Sequence, residues 1–282
     1  MSAVRPLGHY GKNKSPDTTP HGWSASVALG LPDCKQGSPV QVRVNIMKPL
    51  PWIPFYKSLG LLILSILSLH QVSGETSSWT GWLGPDRAAR AQGFETPETW
   101  PKVLEQQWRV EVGEGYSTPL VVKDRIFQHA RQGDDEVLWS LERKTGEVIW
   151  RKSLPVAFVA GRNGESHGLG PKSTPVYADG HVFTLSITGV LTAWSAEDGA
   201  LLWKRDFGEN FEVSHPYWGT ATSPVVDGGR VFAHTGSCED GALFCIDTKT
   251  GKNIWIREEE ANCYSSPRIE TIDGVRQLVE FN

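Results

Sequence analysis

A hydroxyl residue followed by proline recurs four times along this chain, at Thr118-Pro119, Thr174-Pro175, Ser223-Pro224 and Ser266-Pro267, with the prolines 56, 49 and 43 residues apart. After each of the first three, a β-rich stretch runs to a glycine followed four residues later by tryptophan: Gly146 and Trp150, Gly199 and Trp203, Gly251 and Trp255. The proline-to-tryptophan distances are 31, 28 and 31 residues, so insertions fall between the units, around Phe158 to Leu169 and Glu209 to Tyr217. A period of this length means one supersecondary unit, repeated and stacked.

Within a unit the alternation reads as four short strands. It is clearest in the third, with strands over Ser223 to Val226, Arg230 to His234, Ala242 to Asp247 and Asn253 to Arg257, and turns at Asp227-Gly228-Gly229 and Thr248-Lys249-Thr250-Gly251. Each unit is therefore an antiparallel four-stranded sheet. Such a sheet has two apolar faces and cannot bury both alone. Radial stacking of several such sheets is a β-propeller, with one tryptophan per unit expected as a plug between neighbouring blades. Composition agrees: twelve Trp and 29 Gly against two Met, with 39% hydrophobic residues, suit an all-β fold with a buried core better than a helical bundle.

The net charge of -4 hides an asymmetry. Residues 1–74 carry seven Lys/Arg and two Asp/Glu, while residues 75–282 carry 21 and 30. The acidic body has no basic stripe and excludes a nucleic-acid ligand, which requires clustered positive charge. Ser58 to Leu69 is a continuous apolar run preceded by Lys48 and Lys57 and followed by Val72-Ser73-Gly74, the pattern of a secretory signal. As a helix, twelve residues rise about 18 Å, short of the roughly 30 Å hydrocarbon core. The run is thus read as a cleaved leader over residues 47–74, with cleavage near Gly74 and no permanent membrane span. Residues 1–46 precede Met47, the expected start, and read as a disordered or spurious extension.

The stretch Cys245-Ile246-Asp247-Thr248-Lys249-Thr250-Gly251-Lys252-Asn253-Ile254-Trp255 resembles the A-x-D-x-x-T-G-x-x-x-W signature of the pyrroloquinoline-quinone-type (PQQ-like) propeller repeat, with Cys245 in place of the small Ala. The first unit departs from it at Ser140 and Glu142 but keeps Thr145, Gly146 and Trp150; the second has Ser195 in place of the Asp but keeps Ala193, Gly199 and Trp203. The opening Trp79-Thr80-Gly81-Trp82-Leu83-Gly84-Pro85-Asp86, with Trp100-Pro101 and Trp108, resembles the start of secreted bacterial proteins built from these repeats. That family includes quinone-dependent alcohol dehydrogenases, the outer-membrane assembly protein BamB and the extracellular sensor parts of some kinases, and most members have eight blades. The resemblance implies an all-β, PQQ-type propeller over residues 75–282, in units of about 116–155, 172–208, 221–260 and 264–282. At about 45 residues per blade the 208 residues after Gly74 make four to five, and Asn282 interrupts the fourth unit. The expectation is an incomplete ring whose remaining blades belong to a missing C-terminal part. The alternating stretch Gln107 to Val112 would be the early strand that completes the last blade, left loose here.

A dehydrogenase of this family would show adjacent cysteines beneath the quinone and an Asp base near calcium. Cys34, Cys238, Cys245 and Cys263 include no adjacent pair. A Cys238–Cys245 bridge across one hairpin remains open, limited by the Cα separation a disulfide needs. Asp134-Asp135-Glu136 reads as a solvated turn and Asp206-Phe207-Gly208 as a blade exit. His181 and His234 read as ordinary strand residues, and His167 and His215, in the inter-blade insertions, as candidates to face a common opening and bind a ligand. The function expected is a non-enzymatic exported scaffold for a protein, peptide or carbohydrate ligand, without a cofactor. The alternative is a degenerate periplasmic quinone-dependent oxidoreductase that would use pyrroloquinoline quinone and calcium.

Overall fold

The computed structural model describes residues 78–91, 93–160, 165–258, 261 and 264–280. The expected leader at 47–74 and the extension at 1–46 lie outside them. Three four-stranded antiparallel sheets follow one another along the chain. The first holds β1 (Leu120–Val122), β2 (Arg125–Gln132), β3 (Asp135–Glu142) and β4 (Val148–Pro155). The second holds β5 (Val176–Ala178), β6 (His181–Leu185), β7 (Val190–Ser195) and β8 (Leu201–Asp206). The third holds β9 (Val225–Asp227), β10 (Arg230–Gly236), β11 (Gly241–Asp247) and β12 (Asn253–Glu258), and a hairpin of β13 (Arg268–Ile272) and β14 (Val275–Val279) begins a fourth. In every sheet the strands pair in sequence order, and the first strands β1, β5, β9 and β13 lie beside one another as the inner row. The array is an incomplete, unclosed propeller.

Turn chemistry sets the strand ends. Asp179-Gly180, Gly228-Gly229 and Asp273-Gly274 have positive φ at both positions, the geometry of a tight hairpin whose twist matches its strands. Between the third and fourth strands, the Asp247 carboxylate accepts the backbone N–H groups of Lys249 (3.2 Å) and Thr250 (2.8 Å) and the Thr250 hydroxyl (2.7 Å). The Thr250 bonds hold that carboxyl below its ordinary value. The two departures at the Asp position of the repeat signature have local substitutes. Glu142 reaches the N–H groups of Lys144 and Thr145 at 2.7 and 2.6 Å, and in the second unit the Ser195 hydroxyl turns to Asp198.

Glycine closes this turn for two reasons. Gly146, Gly199 and Gly251 have φ of 75°, 71° and 68°. A Cβ on them would also lie 2.6 Å from Trp108, 2.7 Å from Trp150 and 2.8 Å from Trp203. Each of these indoles therefore lies on the glycine turn of the following sheet, and its Nε1–H donates to a carbonyl there: Trp108 to Arg143 at 3.0 Å, Trp150 to Glu197 at 3.2 Å, Trp203 to Thr248 at 2.8 Å. Opposite the tryptophans, Ser140, Ala193 and Cys245 are fully buried across the ladder, and a register shift follows each. The small residue leaves room for the indole.

Three tryptophans expected to be equivalent are not. Trp150 is 9% exposed and Trp203 half-buried, whereas Trp255 is 40% exposed, because the described fourth sheet is a hairpin with no glycine turn to receive the ring. The stretch Gln107 to Val112 forms no strand, yet it is not loose: Trp108 seats on Gly146, and Val110 and Val112 cover Ile126, Val137 and Leu141 of the first sheet. It supplies the tryptophan that a preceding blade would. Cores between sheets are apolar, with Phe127, Leu138 and Trp150 against Val182 and Trp194, then Phe183, Leu191 and Phe207 against Val231, Phe244 and Ile246.

The segment before the first sheet straps the inner row. Trp79 and Val121 exchange backbone hydrogen bonds at 2.7 and 2.9 Å, and Tyr177 N–H donates to Thr80 at 2.8 Å. The buried Arg87 guanidinium donates to the carbonyls of Ser223 (3.2 Å), Pro224 and Pro267 (2.6 Å). Burial lowers its pKa to about 10.

Candidate ligand-binding face

The hydroxyl-proline repeat is longer than two residues. Ser117-Thr118-Pro119, Ser173-Thr174-Pro175, Thr222-Ser223-Pro224 and Ser265-Ser266-Pro267 each carry two hydroxyls at the start of an inner strand. In the first and third units the first hydroxyl works within its own sheet: Ser117 donates to the carbonyl of His129, and Thr222 to that of His234 at 2.9 Å. The second works between sheets. Thr118 N–H donates to the Thr174 hydroxyl (3.0 Å), Thr174 N–H to that of Ser223 (3.0 Å) and Ser223 N–H to that of Ser266 (2.9 Å). This belt fixes the loops that lead into the inner strands, and those loops carry the candidate site.

Along them, aromatic and basic side chains of successive junctions touch. The Lys172 ammonium lies 5.4 Å over the Tyr116 ring and donates to the carbonyl of Gly168 at 3.2 Å. Burial holds that ammonium below its ordinary pKa, with Glu136 acting the other way. Beside Gly168, the His167 ring meets Trp218 edge to face at 5.7 Å. Trp218 in turn packs with Tyr217 at 5.2 Å and Tyr264 at 6.0 Å, and its backbone N–H donates to the Tyr264 hydroxyl at 3.2 Å. Trp218 therefore joins three consecutive junctions. It is nevertheless 42% exposed, and Tyr116 and Tyr217 are exposed as well. The cluster thus leaves aromatic surface open to solvent on a hydrogen-bonded frame.

The two candidate histidines sit differently. His167 is exposed and belongs to this cluster. His215 is half-buried, its ring 5.0 Å from Phe158 and its Nδ1 2.9 Å from the Pro216 carbonyl, so that nitrogen carries the proton. Sequence reasoning missed Tyr116, Lys172, Trp218 and Tyr264. A signal existed for three of them, since Tyr116, Lys172 and Tyr264 each stand directly before a hydroxyl-hydroxyl-Pro tripeptide.

Two expectations about charged residues are corrected. Glu136 is not part of a solvated turn: it is buried on β3, with Oε2 3.1 Å from His129 Nε2 and Oε1 accepting the N–H of Ile187 at 2.9 Å. His234 is not an ordinary strand residue either, because its buried ring pairs through Nδ1 with the Glu280 carboxylate at 2.8 Å. His181 lies 6.1 Å from Phe183. Cys238 and Cys245 are not bridged: Cys245 is buried beside Phe232 and Val225 while Cys238 lies in the exposed hairpin loop. Asp206 caps the Gly208 N–H at 3.2 Å and Phe207 is buried 4.1 Å from Phe244.

No three His, Cys, Asp or Glu side chains among the described residues gather around a common point, and the buried carboxylates Glu136 and Glu280 are each engaged by a histidine. Among the described residues there is also no helix long and apolar enough to cross a membrane.

Four-stranded sheets stacked around an inner row and locked by a tryptophan on the next glycine turn define a PQQ-type propeller. The chain belongs to the family described as outer membrane protein assembly factor BamB, whose profile matches residues 134–282, just over half of its length. A polyvinylalcohol dehydrogenase from Sphingopyxis sp. (strain 113P3) is 28% identical over 197 residues, covering 65% of this chain and 29% of that protein. The BamB of Moranella endobia (strain PCIT) is 27% identical over 178 residues, covering 62% and 41%. The chain thus spans less than half the length of these relatives. Among solved structures, BamB from Moraxella catarrhalis aligns with 62% of this chain and 49% of its own at a TM-score of 0.43 and 15% identity. A europium-containing methanol dehydrogenase aligns with 52% and 25% at 0.40 and 20%.

Proposed function

We propose that this protein is an exported, non-enzymatic scaffold that binds a polypeptide or carbohydrate ligand through its junction-loop face, in the manner of an assembly factor. The observation that carries the reading is the exposed Trp218, held by His167 and Tyr264 from the two neighbouring junctions. Aromatic side chains with polar tips supply contact area at low entropic cost and dominate binding energy where they occur at interfaces. Export would follow from the leader at 47–74, with cleavage near Gly74.

The likeness to a polyvinylalcohol dehydrogenase supports a second reading, a quinone-dependent oxidoreductase. Two measurements separate them. Peptides selected from a displayed random library, and glycans selected from an array, should lose at least tenfold in affinity on Trp218→Ala; unchanged affinity would remove the junction face from the proposal. Saturable quinone absorbance in the presence of calcium, with dye-linked alcohol turnover, would establish the enzyme instead.

A further inference from the structure

The exits of the first and second sheets cross to the next sheet in the same way but fill the space differently. After β4, Val156 and Phe158 bury themselves against Ile187, in the turn between β6 and β7. After β8, the turn Gly208–Asn210 sends Phe207 into the core against Phe244 and leaves a cleft of about 400 Å³ beside the third sheet. Phe211, Phe244 and Ile256 form its walls, and Asn210, Asp240 and Glu258 stand at its rim. Glu258 lies across the ladder from Ala242, and Asp240 is two residues before Ala242, so both acidic residues stand at the same end of the sheet and line the cleft. Among the described residues no Lys, Arg or His lies within ion-pair distance of either. Asp227 and Glu280, by contrast, each have a partner.

We propose that this cleft binds a guanidinium or alkylammonium group. The two carboxylates match a cation that can donate to both. Phe211, Phe244 and Ile256 suit the methylene stem that such a group carries. The volume falls within the range of about 300–1,000 Å³ usual for small-ligand sites. The site lies at the second junction and does not depend on the Trp218 reading. The cation can arrive on a basic side chain of a polypeptide or as a free polyamine, and one experiment distinguishes these.

The full chain is titrated by calorimetry with a Gly-Arg-Arg-Gly amide, with spermidine, and with the same peptide carrying citrulline, which keeps the shape and removes the charge. Saturable binding of the arginine peptide or of spermidine is expected, with the citrulline peptide at least tenfold weaker. The double variant Asp240→Asn, Glu258→Gln should weaken binding at least tenfold with an unchanged melting temperature. Asn210→Arg, which places a cation at the rim, should abolish it and covers the case in which the double variant fails to fold. Tighter binding of the peptide identifies a polypeptide side chain as the source, and tighter binding of spermidine a polyamine. Equal affinity for the citrulline peptide, unchanged binding by the variants, or no binding of either cation overturns the proposal.

Discussion

The backbone N–H of Thr174 donates to the side-chain hydroxyl of Ser223 at 3.0 Å, joining the second sheet to the third at a point where both residues are buried. Thr118 and Thr174 repeat the arrangement one blade earlier, and Ser223 and Ser266 one blade later. The hydroxyl thus holds together sheets that otherwise meet through apolar contacts without direction.

Ser223→Ala should therefore destabilise the fold by about 1–3 kcal/mol, because it strands a buried donor rather than merely deleting a bond. Ser223→Thr, which keeps the hydroxyl, should recover most of the loss. Urea denaturation of the three proteins measures this, and a loss of the same size in both variants would mean that the hydroxyl is not the cause.

The tryptophans should rank by their neighbours. Trp150→Ala is expected to cost about 3–5 kcal/mol as a large-to-small change in a filled core, with Trp203→Ala close behind. Trp255→Ala should cost well under half as much, since 40% of that residue is already in water. Equal losses at Trp150 and Trp255 in chemical denaturation would contradict the packing described.

Gly199 and Gly180 have nearly the same backbone conformation, with φ of 71° and 79°, but only Gly199 has an indole within reach of an added Cβ. Gly180→Ala should cost about 1–2 kcal/mol, the strain of the left-handed region alone. Gly199→Ala should cost about 1–3 kcal/mol more, the price of overpacking against Trp150. Thermal melts of the pair separate the two effects.

Glu136→Ala should destabilise the protein by about 3–5 kcal/mol, because it leaves His129 without its buried carboxylate neighbour and the Ile187 N–H without its acceptor. Asp134→Ala, two residues away and exposed, should be near neutral. Similar melting temperatures for the two variants would return Glu136 to the solvated turn that its sequence neighbours suggest.

Arg276 bonds both oxygens of Asp227, tying the third sheet to the hairpin that follows, and this holds the Asp227 carboxyl below its ordinary value. A carboxyl lowered in the folded state binds protons more readily when unfolded. Its contribution is therefore complete above the unfolded value of about 3.9 and is lost as pH falls through the lower folded value. Between pH 5 and pH 2, stability should fall less steeply in Asp227→Asn than in the parent. Parallel curves would show that the pair is fully screened by solvent.

The period of the sequence by itself determined the sheets, because strand alternation, glycine turns and the Gly-to-Trp spacing act within a few residues of one another. Asp179-Gly180 and Gly228-Gly229 specify hairpins wherever they occur, and the signature around Cys245 specifies one blade and its family. What those residues meet was decided by tertiary structure. The partners of Thr118, Thr174 and Ser223 lie 56, 49 and 43 residues away. His234 finds Glu280 at 46, and Trp218 meets His167 and Tyr264 only because three junctions converge. Glu136 shows the same limit most directly. Next to Asp134 and Asp135 it reads as solvated, and only stacking the second sheet over the first buries it and supplies the Ile187 N–H that makes burial tolerable. Local spacing can name the residues that end a strand, but the neighbour across a sheet-to-sheet contact exists only after the sheets have stacked.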